Sequence, residues 1–224
     1  MYTISISPEE IEKLGLASFP GKIKVINNVG LDFIRAISYL KKQKVIGFDT
    51  ESRPTFSPKQ PHYGVSLLQL SGKDKAFLFR IKLMGGIPGP LRNILANEDI
   101  IKVGAAINDD VRGLEKHHSF EPRGFIDLQK IVWEYGIKDK SVKKMSAIIL
   151  GFRISKTQQL SNWEATELSA AQQAYAATDA WVCREMYLKL MASEKNPLTP
   201  EQMMPNPPKH AVDHDKDISK EKQG

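Results

Sequence analysis

Cysteine is nearly absent: Cys183 stands alone among 224 residues. One cysteine excludes an internal disulfide framework and a cysteine-rich zinc site. It fits a reducing, intracellular setting, cytoplasmic if the source is bacterial. No run of about 18 apolar residues occurs, so no membrane-spanning helix and no membrane partner are expected. The N-terminus lacks a basic segment followed by an apolar one, so no secretory signal is expected. No internal repeat is visible, which removes solenoid architectures. What is present suffices for a core: 41% of residues are hydrophobic and three are Trp. The length favours one domain, or one domain plus a tail.

The net charge is +6. Over residues 195–224 five Lys and five Asp/Glu cancel, so the basic surplus lies in residues 1–194. If several of the acids there hold metal ions, the remaining surface is more basic still. That fits a polyanionic partner; the alternative is ordinary solubility charge.

Residues 195–224 read as a disordered tail, broken by Pro197, Pro200, Pro205, Pro207 and Pro208 and with little to bury. Residues 1–21 read as a polar lead-in or a partly docked arm. Between them, residues 22–194 alternate strand and helix signals. Lys22–Ile26, Val45–Phe48, Val65–Leu70, Ala76–Ile81 and Ile100–Ala106 read as strands, the third and fourth joined in a hairpin by Gly72–Lys75. A further strand-then-helix step starts at Ile126. Phe33, Ile34, Ile37 and Leu40 mark one helix face. Asn108 is a candidate helix cap, and Gly151 a helix stop. Ser169 and Gln172 form a capping box that opens a long helix to about Ala192. An antiparallel start followed by strand-helix steps implies an α/β fold: a mixed sheet with helices outside, ligands gathering at the ends of its central strands.

Acids fall at such ends. Asp49 and Glu51 are two apart, which puts both on one face of an extended strand. Two same-face acids closing an apolar strand make sense around a cation; the alternative is that the strand ends at Phe48 and both are solvated. Asp109 and Asp110 follow Ile100–Ala106, where a helix N-terminus also suits a carboxylate. Asp127 reads as a helix cap or as support for the other acids. Tyr175 and Asp179 are four apart on the long helix and share a face. Carboxylates about 4 Å apart repel by about 4 kcal/mol at an effective dielectric near 20, so four converging acids call for divalent cations. Oxygen ligands favour Mg²⁺ or Mn²⁺ over zinc, and two such ions can clamp the attacking and leaving oxygens of a phosphoryl transfer.

Asp49-Thr50-Glu51, Asn108-Asp109-Asp110 and Tyr175-x-x-x-Asp179 resemble the three motifs of the DEDD exonuclease superfamily, tyrosine subtype, which includes polymerase proofreading domains and ribonuclease D. The preceding Lys-Val-Gly and following Leu114 select Asp110 in the second motif. Ser161-Asn162-Trp163 followed by Tyr175-Ala-Ala-Thr-Asp-Ala180 is similar to the Werner syndrome exonuclease group in particular. The likeness covers about residues 22–192. It implies a ribonuclease H-like fold with a five- or six-stranded mixed sheet, and metal-dependent 3′→5′ hydrolysis releasing nucleoside 5′-monophosphates. By position, Asp49, Glu51, Asp110 and Asp179 would hold two divalent cations, Mg²⁺ or Mn²⁺, and Tyr175 would orient the attacking water. His210 and Asp215 have the spacing of the histidine subtype, but they lie in the proline-flanked tail and that match is rejected.

Substrate contacts are less constrained. Arg53 after the first motif can touch a phosphate and Phe56 can stack on a base; a solvated Arg and a packed Phe are the alternative. Lys143, Lys144, Arg153 and Lys156 are grouped as a path for the strand. Trp163 is a stacking candidate, against core packing. The expected substrate is DNA, as single strands or recessed 3′ ends. Ribonuclease D-like trimming of RNA and a non-catalytic nucleic-acid-binding module are the alternatives. The resemblance also admits a helicase or repair partner; no oligomeric state is assigned.

Overall fold

In a computed structural model that describes residues 1–55, 57 and 63–204, the apolar runs assemble into one six-stranded sheet. Its strands are β1 (Lys22–Ile26), β2 (Val45–Ser52), β3 (Val65–Ser71), β4 (Lys75–Arg80), β5 (Ile101–Gly104) and β6 (Phe125–Asp127), in the order β1-β4-β3-β2-β5-β6. The antiparallel start is the meander β2-β3-β4, closed at its hairpin by the Gly72 N–H donating to the Lys75 carbonyl. β5 and β6 extend it in parallel on one side, and β1 joins β4 in parallel at the other edge. β2 therefore lies near the middle, paired on both sides.

The helices are α1 (Pro8–Glu12), α2 (Leu31–Leu40), α3 (Gly89–Leu95), α4 (Asn108–Glu115), α5 (Leu128–Ile131), α6 (Val142–Leu150), α7 (Ala170–Met191) and α8 (Pro200–Met203). Strand alternation divides them between two layers. Phe48, Leu68, Leu70 and Phe79 face α2, α3 and α4 in one core with Phe33, Leu91 and Leu114. On the other face, Leu67 and Leu78 pack with Trp163, Tyr175 and Ala176. Val103, Val182, Cys183 and Met145 continue that second layer beneath α6. α7 is buried along most of its 22 residues because the sheet lies on one side of it and α6 on another. The Ser169–Gln172 capping box starts it, as the sequence indicates.

Two expectations are corrected. Residues 195–204 do not begin a free tail: Asn196 and Leu198 donate from their backbones to the Glu134 and Trp133 carbonyls, the Leu198 side chain is buried, and Thr199 caps α8. One buried leucine and two backbone bonds outweigh the prolines, one of which sits at the start of α8 where a missing N–H costs nothing. Residues 205–224, with His210 and Asp215, lie outside the described residues. Asn108 is the first residue of α4 rather than its cap, which is Ile107; its side chain instead accepts from Lys130. The lead-in does dock: Ile11 and Phe19 are buried, and Leu16 bridges to Arg153.

Candidate active site

β2 continues past Phe48 to Ser52, so Asp49 and Glu51 are both strand residues and project towards α7. α7 comes unusually close at this point. A Cβ at Gly47 would lie 1.8 Å from the Ala180 carbonyl oxygen, so only glycine at 47 allows the approach. The adjacent Asp179 is thereby brought to the strand's acids. Carboxylate oxygens of Asp49, Glu51 and Asp179 all lie within 4.8 Å of one another.

Asp110 arrives from the opposite layer. It sits in the first turn of α4, half-buried, and accepts a hydrogen bond from the Thr50 hydroxyl. Thr50 points away from Asp49 and Glu51, so Asp110 meets β2 from the side opposite Asp179 and is not within the tight triad. Its charge nevertheless reaches Asp49 and Glu51. Asp109 is exposed towards solvent, leaving Asp110 as the inward acid of the pair. The turn into α4 is held by Asp127, which accepts from the backbone N–H groups of Ala106 and Gln129 and so both caps α5 and supports the loop. Ala106 has φ 59° there, a conformation few non-glycine residues adopt.

Burial dominates the electrostatics. It pushes the Asp49 carboxyl well above its usual range, and the charges of Asp179 and Asp110 add to the effect. Glu51 is pushed up to about 10, by burial first and then by Asp49 and Asp179. Burial also raises Asp179 and Asp110, offset at Asp179 by Lys156 and at Asp110 by the Thr50 hydroxyl. Lys156 Nζ donates to Asp179 Oδ2 at 2.9 Å, lies 3.4 Å from the Tyr175 hydroxyl and sits 5.2 Å from that ring's centre. The Tyr175 hydroxyl is raised by burial and by Asp179, so it keeps its proton. Asp179 Oδ1 is buried with no partner among the described residues. An all-oxygen donor set at this spacing, with one buried oxygen left over, fits a hard divalent cation.

The remaining expected contacts separate. Lys156 reaches the acids. Lys143 and Arg153 instead pair with Glu12, and Arg153 also donates to the Leu14 carbonyl, so both secure the N-terminal arm. Lys144 pairs with Asp139, whose other oxygen accepts from Ser5 and Ile6 of the same arm. These three charges thus pair with the arm or with Asp139, which also holds the arm, and only Lys156 of the four meets the acids. Trp163 is corrected, being fully buried against Tyr175 with ring centres 5.9 Å apart, a core residue that seats the tyrosine. Arg53 is exposed, its guanidinium 4.8 Å from the centre of the Tyr63 ring. Phe56 lies outside the described residues. Sequence reasoning missed Gly47 and Thr50, whose roles rest on how closely α7 and α4 meet β2 and leave no local signal.

A mixed sheet wrapped by helices, with acids gathered at its central strand, defines an α/β nuclease architecture of the ribonuclease H kind. Residues 32–193 match the family model for the 3′-5′ exonuclease domain, and the chain belongs to that family. It is 35% identical over 150 residues to exonuclease 3′-5′ domain-containing protein 2 of Drosophila melanogaster, covering 66% of this chain and 25% of that protein. It is 30% identical over 152 residues to the bifunctional 3′-5′ exonuclease/ATP-dependent helicase WRN of Mus musculus, covering 65% of this chain and 11% of that protein. The chain thus spans a quarter or less of these two relatives. The Escherichia coli RNase D structure superposes with a TM-score of 0.68 at 22% identity, over 76% of this chain and 44% of that one, a likeness of fold.

Proposed function

We propose that this chain is a metal-dependent 3′→5′ exonuclease acting on DNA 3′ ends and releasing nucleoside 5′-monophosphates. The observation that carries the reading is the convergence of Asp49, Glu51 and Asp179 within 4.8 Å in a chain of the exonuclease family. Asp49, Glu51 and Asp179 would hold one divalent cation, and Asp110, reaching β2 from the other side, would help hold a second. Mg²⁺ or Mn²⁺ would supply an acidified water and neutralise charge at the leaving 3′ oxygen. Tyr175, protonated throughout the working range, donates a hydrogen bond that orients the attacking water, the role of the tyrosine subtype. Lys156 holds Asp179 from one side and presents its ammonium where a phosphate would enter. Arg53, stacked on Tyr63 at the end of β2, is placed to meet the nucleic-acid backbone. The likeness to a protein named for both exonuclease and helicase activities supports a helicase or repair partner.

The test uses 5′-labelled single-stranded DNA, recessed-end duplex and matched RNA, each with Mg²⁺, Mn²⁺ or EDTA. Wild type should give a metal-dependent ladder shortening from the 3′ end. Asp49→Ala should lower the rate by at least about 10³-fold while gel-shift binding persists. Equal cleavage by the variant would remove the assigned site. Preferential shortening of RNA would make the enzyme a 3′-end RNA trimmer. Binding without cleavage in every lane would make it a binding module.

A further inference from the structure

Gln69 sits in the middle of β3, a strand whose residues are all buried. Its own exposure is 0%, and neither Oε1 nor Nε2 has a hydrogen-bond partner among the described residues. The other buried polar side chains of that strand are satisfied: Ser66 donates to Glu164, and Ser71 to the Gly72 carbonyl. Two buried polar side chains of α7 are satisfied as well, Gln172 by the Asn162 carbonyl and Thr178 by the Ala174 carbonyl. A core position flanked across the sheet by Leu78 would be filled more favourably by leucine or methionine than by an unbonded amide.

The register supplies a reason for the amide. Gln69 is the direct antiparallel partner of Asp49. Directly opposed residues share a face, with Cβ atoms about 4.5–5.5 Å apart, so rotation of the glutamine side chain, whose amide is unbonded here, would bring it to the aspartate carboxylate without backbone movement. Leu67, two residues away on the same strand and face, packs with Tyr175 and Ala176 of α7, so Gln69 lies in the layer from which Asp49, Glu51 and Asp179 converge. An amide can donate to a carboxylate while leaving that carboxylate's other oxygen for a cation. The Trp163 indole N–H, in the same layer, also lacks a partner among the described residues.

We infer that Gln69 is a positioning residue for the acid cluster, its side-chain amide donating to the Asp49 carboxylate and fixing the orientation in which Asp49 ligates a divalent cation. The inference rests on the metal-site reading above. It is tested by calorimetric titration of Mn²⁺ into wild type, Gln69→Leu and Gln69→Met, with thermal melts in EDTA. Both variants remove the unbonded amide, so their melting temperatures in EDTA should match or exceed that of wild type. Their Mn²⁺ dissociation constants should nevertheless rise by about 10- to 100-fold, the range for losing a partner behind a metal ligand. Unchanged Mn²⁺ affinity in the folded variants would overturn the inference, leaving Gln69 a core filler. Failure of both variants to fold would also overturn it, because the amide would then be a structural partner. Absence of Mn²⁺ binding by wild type would strike the metal-site reading instead.

Discussion

At the scale of single residues, the acids behave unlike ordinary surface carboxylates. Burial, and then Asp49 and Asp179, push Glu51 up to about 10 from its ordinary 4.5. Between those values the folded state holds a proton that the unfolded chain has released, so raising the pH favours unfolding. Asp49 and Asp179 shift in the same direction, by burial first. The melting temperature in EDTA should therefore fall from about pH 6 to about pH 9, and saturating Mn²⁺ should flatten the fall, because cation binding displaces those protons. A flat profile in EDTA would show that the acids are already ionised and balanced without metal. The identity of these residues was legible in the sequence because strand alternation and helical spacing are local rules. The Lys156–Asp179 pair was not, because residue separation along the chain carries no information about which lysine returns to a helix 23 residues later. That pair also alters an electrostatic expectation: Asp179 is not surrounded by like charge alone, so neutralising it removes an ion pair as well as repulsion.

At the scale of elements, the site depends on how closely one helix lies on one strand. β2 offers Gly47 where the α7 backbone passes, and the Ala180 carbonyl fills the space a side chain would need. Gly47→Ala should destabilise the fold by about 3 kcal/mol and displace Asp179 from Asp49. Urea unfolding and the Mn²⁺ dissociation constant measure the two effects, and a variant with wild-type values for both would show that α7 can shift at no cost. The helix itself was legible, from its capping box to its end near Ala192, because caps and propensity act within a few residues. The antiparallel meander was legible from its hairpin. The parallel pairing of β1 with β4 was not, since a crossover strand's neighbour is set by packing of α2 rather than by any turn. The same holds for β2 beyond Phe48: an isolated strand pattern cannot report that its polar end remains paired with β3.

For the whole molecule, both ends of the described chain are structural. Phe19 is buried against Trp181, and its backbone N–H donates to Thr178, the residue before Asp179. Leu198 is buried at the other end. Phe19→Ala should cost about 3–4 kcal/mol and Leu198→Ala about 2–3 kcal/mol by urea unfolding, as large-to-small changes in a core do. Values near zero would make these segments a free lead-in and a free tail. Composition misleads here because largely polar or proline-rich segments can be held by one or two apolar anchors, Ile11 and Phe19 at one end and Leu198 at the other. The arm also uses three of the four basic residues that the sequence groups near a substrate path. Finally, Asp110 and Asp179 approach β2 from opposite layers, each seated on its own hydrophobic core. A single layer docked on the sheet would assemble only part of the acid set. On the proposed function, the site would act as a coincidence detector for folding: during synthesis or partial unfolding, a chain with one core formed should be inert towards nucleic acid, and nuclease activity should appear only when both layers are in place.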